Sequence, residues 1–160
     1  ENIYAPSDSS VLFAAFVNLK EINFNNFNTS EVTNMLYMFA MCSELVNLNL
    51  TNFVTSNVTD MTGMFVVCEN LSSLVISSFD TTNVTNMSFM FKNSKFNNDS
   101  ICGWDVLNVE NMMGMFSYSD FNQNISKWDV SNVKDMGAMF QFSKFNQDIS
   151  KWKINNKCKS

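Results

Sequence analysis

The stretch Asn132-Val133-Lys134-Asp135-Met136-Gly137-Ala138-Met139-Phe140 decides how this chain is read. It is one copy of a phrase, N-V-x-x-M-x-x-M-F. Related copies run from Glu31-Val32 to Met38-Phe39, Asn57-Val58 to Met64-Phe65, Asn83-Val84 to Met90-Phe91 and Asn108-Val109 to Met115-Phe116. The closing phenylalanines stand at 39, 65, 91, 116 and 140, so the steps are 26, 26, 25 and 24 residues. Self-similarity at a fixed period of this size marks a repeat architecture and outranks other readings of the sequence.

Each repeat divides into two halves. In the first, Val58, Met61, Met64 and Phe65 lie at i, i+3, i+6 and i+7, which predicts one face of a short helix or of 3₁₀ turns. In the second, Leu74 and Ile76 alternate as in a short strand with one face buried, and Leu48 and Leu50 repeat the pattern. Ile101, Ile125 and Ile149 each precede a Trp by three residues, as Ile76 precedes Phe79, and the shortening of this half accounts for the drift from 26 to 24. A helix and a strand in so few residues cannot bury their own apolar faces, so the repeats must stack. The expected fold is α/β: a right-handed solenoid with one short parallel strand and one short helix or 3₁₀ turn per repeat of 24–26 residues. It is expected to form a single domain over 1–160, with 1–26 an N-terminal cap or partial repeat, 27–151 five repeats and 152–160 a tail. Pro6-Ser7-Asp8 before the apolar run Val11 to Val17 predicts a short capping helix.

Composition narrows the function. The chain has 160 residues and a net charge of −5, with ten Lys, no Arg and no His. Up to Phe91 there is one Lys against eight carboxylates, a balance of −7; beyond it nine Lys face seven carboxylates, a balance of +2. A mildly acidic chain without Arg is a poor nucleic-acid binder, and no apolar run approaches the length of a membrane span. Glu1 is not a natural start, so targeting or anchoring information is expected to lie outside this sequence. The Asn-x-Ser/Thr sequons, Asn28, Asn49, Asn57, Asn70, Asn83, Asn86, Asn98 and Asn124 among them, read as by-products of an Asn/Ser/Thr-rich bacterial-type composition.

The phrases Phe145-Asn146-Gln147-Asp148-Ile149-Ser150-Lys151-Trp152 and Trp128-Asp129-Val130-Ser131-Asn132-Val133-Lys134-Asp135-Met136 resemble the BspA-type leucine-rich repeat of bacterial surface proteins, found also in mycoplasma surface lipoproteins. The resemblance covers about residues 9–152. Its Met-x-x-Met-Phe motif with a following x-x-Cys is matched at Cys42 and Cys68, whereas Ser94, Ser119 and Ser143 stand nearby in later repeats. The resemblance implies a curved leucine-rich-repeat solenoid, secretion or surface display, and adhesion to other proteins or cells.

Several columns invite a chemical reading. Asp80, Asp105 and Asp129 recur just after the aromatic, where stacked carboxylates could hold Ca²⁺; capping or Asx-turns before each Thr/Ser-Asn-Val or similar segment is the favoured role. Asn57, Asn83, Asn108 and Asn132 are expected to form an inward ladder that satisfies backbone groups. The aromatic column Phe27, Phe53, Phe79, Trp104, Trp128 and Trp152, the Phe39 column and the Met column are assigned to the core. Cys42 and Cys68 are expected as rung neighbours with thiols buried, their parallel Cβ vectors being unsuited to a disulfide. Without His there is no Ser-His or Cys-His relay, and the Cys spacings do not fit a closed zinc site. No enzyme, metal or cofactor is expected.

The surface left over is the outward strand face. Asn49, Val75, Ser100, Asn124 and Asp148 form its first row, and Thr51, Ser77, Cys102, Ser126 and Ser150 its second, with Lys127 and Lys151 adding positive charge. This is the expected binding surface for a protein partner, such as a host matrix or cell-surface protein. The alternative is a structural spacer whose recognition is carried elsewhere.

Overall fold

The computed structural model describes residues 2–159. Its organising feature is a parallel ladder through one position per repeat, with Asp8 bridged to Asn34, Asn34 to Asp60, Asp60 to Asn86, Asn86 to Asn111, Asn111 to Asp135, and Asp135 to Lys159. Successive repeats therefore lie over one another in register as rungs. From each bridge the ladder continues through the Met-x-x-Met-Phe phrase. The amides of Met35, Tyr37, Phe39 and Met41 donate to the carbonyls of Asp60, Thr62, Met64 and Val66, at 2.8–3.0 Å. The next rung repeats this, with Met61, Gly63, Phe65 and Val67 donating to Asn86, Ser88, Met90 and Lys92.

The phrase is not helical. No α-helix occurs among the described residues, and the single 3₁₀ turn, Asp99–Ile101, falls in the other half of its repeat. Within the phrase the chain makes tight turns, such as Met38 N–H to Met35 O and Ala40 N–H to Tyr37 O. A residue of positive φ recurs four positions apart: Tyr37 and Met41, Gly63 and Val67, Phe89 and Asn93, Gly114 and Tyr118, Ala138 and Phe142. A positive φ at the third residue of a turn defines type II, and it stops a helix from propagating. Alternate amides cross to the next rung, where they find acceptors without the cost of nucleating a helix in a phrase of eight or so residues. The expected capping helix is absent for the same reason. Val11 and Ala15 have positive φ, and the amides of Val11, Phe13 and Ala15 donate to Leu36, Met38 and Ala40. The segment does lie where its alignment with Met35–Phe39 puts it, since the rings of Phe13 and Phe39 stack at 5.3 Å.

The strand half is also sparser than one strand per repeat. β3 (Asn47–Asn49) pairs in parallel with β4 (Ser73–Val75), Leu48 opposite Leu74. The other pair, β1 (Ile3–Tyr4) with β2 (Phe27–Asn28), lies at the start of the chain. No strand forms around Ile101, Ile125 or Ile149. These later repeats replace Cys-x-x-Leu with Ser-x-Phe, and the extra rings of Phe96, Phe121 and Phe145 stack on Phe91, Phe116 and Phe140 at 4.4, 4.1 and 4.1 Å. The shorter connection carries a second aromatic column where the earlier repeats carry a leucine. The tail 152–159 is part of the stack: Trp152 is buried and the Met136 amide donates to Lys159 O.

The core follows the sequence columns. Val32, Val58, Val84, Val109 and Val133 are buried, as are most of the Met positions. Phe39, Phe65, Phe91, Phe116 and Phe140 stack at 5.6–5.9 Å. Polar groups between rungs are paired. The buried Thr55 hydroxyl donates to Asp80 O and accepts from Asp80 N–H at 2.9 and 2.8 Å, and Thr29 does the same for Val54. The indole N–H groups of Trp128 and Trp152 reach back to the carbonyls of Ile101 and Ile125.

Candidate functional site

With most backbone groups consumed in the ladder, each rung presents chiefly its side chains. Of the expected strand-face residues only Asn49 and Val75 stand on strands; Ser100, Asn124 and Asp148 lie at the equivalent places of rungs without one, and the face is held in place by local hydrogen bonds. The Asn49 side-chain oxygen accepts from the Thr51 amide and hydroxyl at 3.0 and 2.9 Å. That of Asn124 accepts from Ser126 N–H at 3.0 Å, and that of Asp148 from Ser150 N–H at 2.8 Å. Such Asx-turns fix a short polar side chain against its own backbone. Hydrogen bonds from the Ser150 amide and hydroxyl, with Lys151 adding, hold the Asp148 carboxyl below its ordinary range. The residue is thus a fixed negative charge beside Lys151.

The expected site residues fall into separate groups. Asn124, Ser126, Asp148 and Lys151 line a cleft of about 160 Å³ with Gln147. Asn124 and Lys127 also line a neighbouring cleft of about 420 Å³ with Asp99, Cys102, Gly103 and Gln123. Asn49 and Val75 sit far back along the chain, in a groove of about 640 Å³ with Asn23, Asn25, Asn47, Thr51 and Asn52. Ser100 belongs to none of these. It lies in the Asp99–Ile101 turn, and its hydroxyl is buried without a partner among the described residues. Ser150 serves by anchoring Asp148.

Two features escaped the sequence reading. The phrase Phe-Asn-x-x recurs at Phe96-Asn97, Phe121-Asn122 and Phe145-Asn146. Asn97 Oδ1 accepts from the Asn122 amide and Gln123 Nε2, and Asn122 Oδ1 accepts from the Asn146 amide and Gln147 Nε2. This amide ladder positions the two glutamines in the clefts, and the repeated dipeptide was its visible signal. The second feature is on the turn side, in the half of the repeat that carries the Met-x-x-Met-Phe phrase, where Tyr118 and Phe142 are 52% and 72% exposed with rings 4.9 Å apart.

The other columns resolve as follows. Asp80, Asp105 and Asp129 accept from Thr82, Leu107 and Ser131 amides, the Asx role. Asn57, Asn83, Asn108 and Asn132 are exposed rather than inward. Each donates through Nδ2 to a carbonyl of the preceding rung: Ser30, Ser56, Thr82 and Leu107. The column that carries the backbone bridges is half-buried at Asn34, Asp60, Asn86, Asn111 and Asp135, and each of these side chains accepts from the amide two residues on. All four cysteines are free, with Cys42 and Cys68 buried. Burial pushes the Cys68 thiol up to about 12 and raises Cys102 as well, so neither is a ready nucleophile. Among the described residues no cluster of three His, Cys, Asp or Glu side chains could hold a metal ion. Among the described residues no helix is long and apolar enough to cross a membrane.

Rungs in register, repeated turns and a polar outward row define a tandem-repeat protein. The family described as "Mycoplasma protein of unknown function, DUF285" matches residues 8–118 and again 93–159, and the chain belongs to it. No curated protein and no solved structure matches the chain.

Proposed function

We propose that this chain is a non-enzymatic, surface-displayed module that binds protein partners through its outward strand face. Its rungs make up a right-handed, leucine-rich-repeat-like solenoid of the BspA type. Membership of a mycoplasma family and the BspA-like phrases support an extracellular or cell-surface location and a host matrix or cell-surface protein as partner. The observation that carries the reading is the row Asn124, Ser126, Gln147, Asp148 and Lys151. These are polar side chains around one cleft, two of them locked by Asx-turns, so little rotamer freedom is lost on contact. Because the row is short of Trp, Tyr and Arg anchors, contact is weak per module and gains strength from multivalent display.

The exposed Tyr118–Phe142 pair favours a second reading, in which a partner grips the turn side and the strand face is spacer surface. A solution screen of the folded chain against matrix and serum proteins separates the two. Saturable binding weakened tenfold or more by Asn124→Arg with Asp148→Arg supports the strand face. Binding unchanged in that variant but lost in Tyr118→Ser with Phe142→Ser moves the site to the turn side. No saturable binding at all leaves the chain a structural spacer.

A further inference from the structure

The groove beside β3 has a property that its polar lining does not show. In the β3–β4 register, Ser73 N–H reaches Val46 O and Leu50 N–H reaches Val75 O. That alternation turns the N–H and C=O of Leu48 toward β4 and those of Asn47 and Asn49 toward the opposite edge. The opposite wall is Glu21–Asn25, the same half of the preceding repeat. No backbone hydrogen bond runs between that wall and β3, and the Asn47 and Asn49 backbone groups have no partner among the described residues. Two donors and two acceptors at strand spacing thus face a groove of about 640 Å³. Its lining includes Ile22, Phe24 and Leu48, and Glu21 brings a carboxylate to the same wall.

We infer that this groove takes an extended peptide segment of a partner protein as an added strand on β3. The inference rests on the protein-binding reading of the strand face and names the form of the partner. An extended residue occupies about 160 Å³, from about 3.3 Å of rise, 4.8 Å between strands and 10 Å between layers, so the groove has room for about four residues. The backbone edge supplies hydrogen bonds regardless of sequence, while alternate side chains supply selectivity. Here one set of side chains meets the half-buried Ile22, at the lip of the core that holds Leu48 and Phe24, so it is apolar. The other set faces outward among Asn47, Asn49 and Thr51, so it is small and polar. A basic residue complements Glu21. The occupant is therefore an alternating apolar/polar segment with a basic end.

The probe is a fluorescent, end-blocked heptapeptide of alternating Val and Thr with one terminal Lys, titrated against the whole chain by anisotropy. Amide exchange at Asn47 and Asn49 is followed alongside. Saturable binding that slows exchange at both amides is expected, with affinity within twofold for Asn47→Ala. Asn47→Pro, which removes only an amide facing the groove, should weaken binding tenfold or more. N-methylation of alternate peptide amides should do the same with no change to the protein, which covers the event that the proline variant does not fold. Binding indifferent to N-methylation overturns the inference. So does absence of binding with the Asn47 and Asn49 amides already protected in the free protein, because Glu21–Asn25 then pairs with β3 itself. Failure of the Asn124/Asp148 double variant to affect partner binding bears on the face reading alone. Peptide binding at β3 stands or falls separately.

Discussion

Gly63 sits at φ 56° directly beneath the ring of Tyr37, and Gly114 at φ 60° beneath that of Phe89. A Cβ at Gly114 would lie 2.7 Å from the Phe89 ring, and one at Gly63 would overlap Tyr37. Large and absent side chains thus alternate down this column. Gly63→Ala is expected to destabilise the chain by about 1–3 kcal/mol, from left-handed strain plus displacement of the ring. Ala138 adopts the same conformation at φ 55° with no ring over it, so Ala138→Gly should stabilise by about 0.5–1 kcal/mol. Urea unfolding of both variants checks the opposite signs. These residues also show why the phrase reads as a helix in the sequence. Consecutive tight turns put apolar residues at nearly the helical period, and only glycines at equivalent places, Gly63 and Gly114, mark the left-handed sites. Titration follows from the same packing. The Cys68 thiol is held up to about 12 by burial, against an ordinary value of 9.0. Between those values the unfolded chain ionises this thiol while the folded chain does not. Stability should therefore be flat below pH 9 from this group and fall as pH climbs toward 12. A Cys68→Val variant, compared with the parent by melting temperature across that range, should show a shallower fall. At the acid end the sign reverses. Hydrogen bonds from Thr82 and Ser131 keep Asp80 and Asp129 below 3.8, so their contribution is present above that value and fades as pH drops through the lower folded values.

At the scale of the element, the rung is held by two devices, a stacked ring column and threonine hydroxyls that bridge to the next rung. Phe91 touches Phe65, Phe96, Trp104 and Phe116, and Phe91→Ala should cost about 3–5 kcal/mol by chemical denaturation. Thr55→Val removes a donor and an acceptor from Asp80 in a buried position and should cost about 1–3 kcal/mol. Val106 and Val130 hold the corresponding place in later rungs and are buried without such bridges, so Val106→Thr is not expected to recover that amount. The columns of Val, Met and Phe were legible in the sequence because burial follows the repeat period. The strand half was legible where Leu48 and Leu74 alternate with polar residues, and illegible where Ser-x-Phe replaces Cys-x-x-Leu, because the aromatic in the shorter connection takes the space of the apolar alternation.

At the scale of the whole molecule, the ladder commits most of the backbone to neighbouring rungs, leaves the outer edge of β3 open, and presents side chains on two surfaces. The sequence revealed the strand-face row through its register. It did not reveal which members share a cleft, since that depends on the Asn97–Asn122–Asn146 amide ladder rather than on the repeat period. Nor did it single out the Tyr118–Phe142 pair, because their exposure follows from left-handed backbone at those two sites. The charge division lies along the same axis, with the acidic part before Lys92 and the lysine-rich part after it. Partner binding near Asp148 should therefore change with ionic strength more than peptide binding at β3, a difference that titrations at low and high salt would show. The proposed function places a protein partner on the strand face. The most direct test is amide hydrogen exchange of the chain with and without a captured partner. Slowed exchange confined to Asn47–Thr51, Ser73–Ser77 and the segments around Asn124 and Asp148 is the predicted result. A footprint over Tyr118 and Phe142 with the strand face unchanged would contradict it.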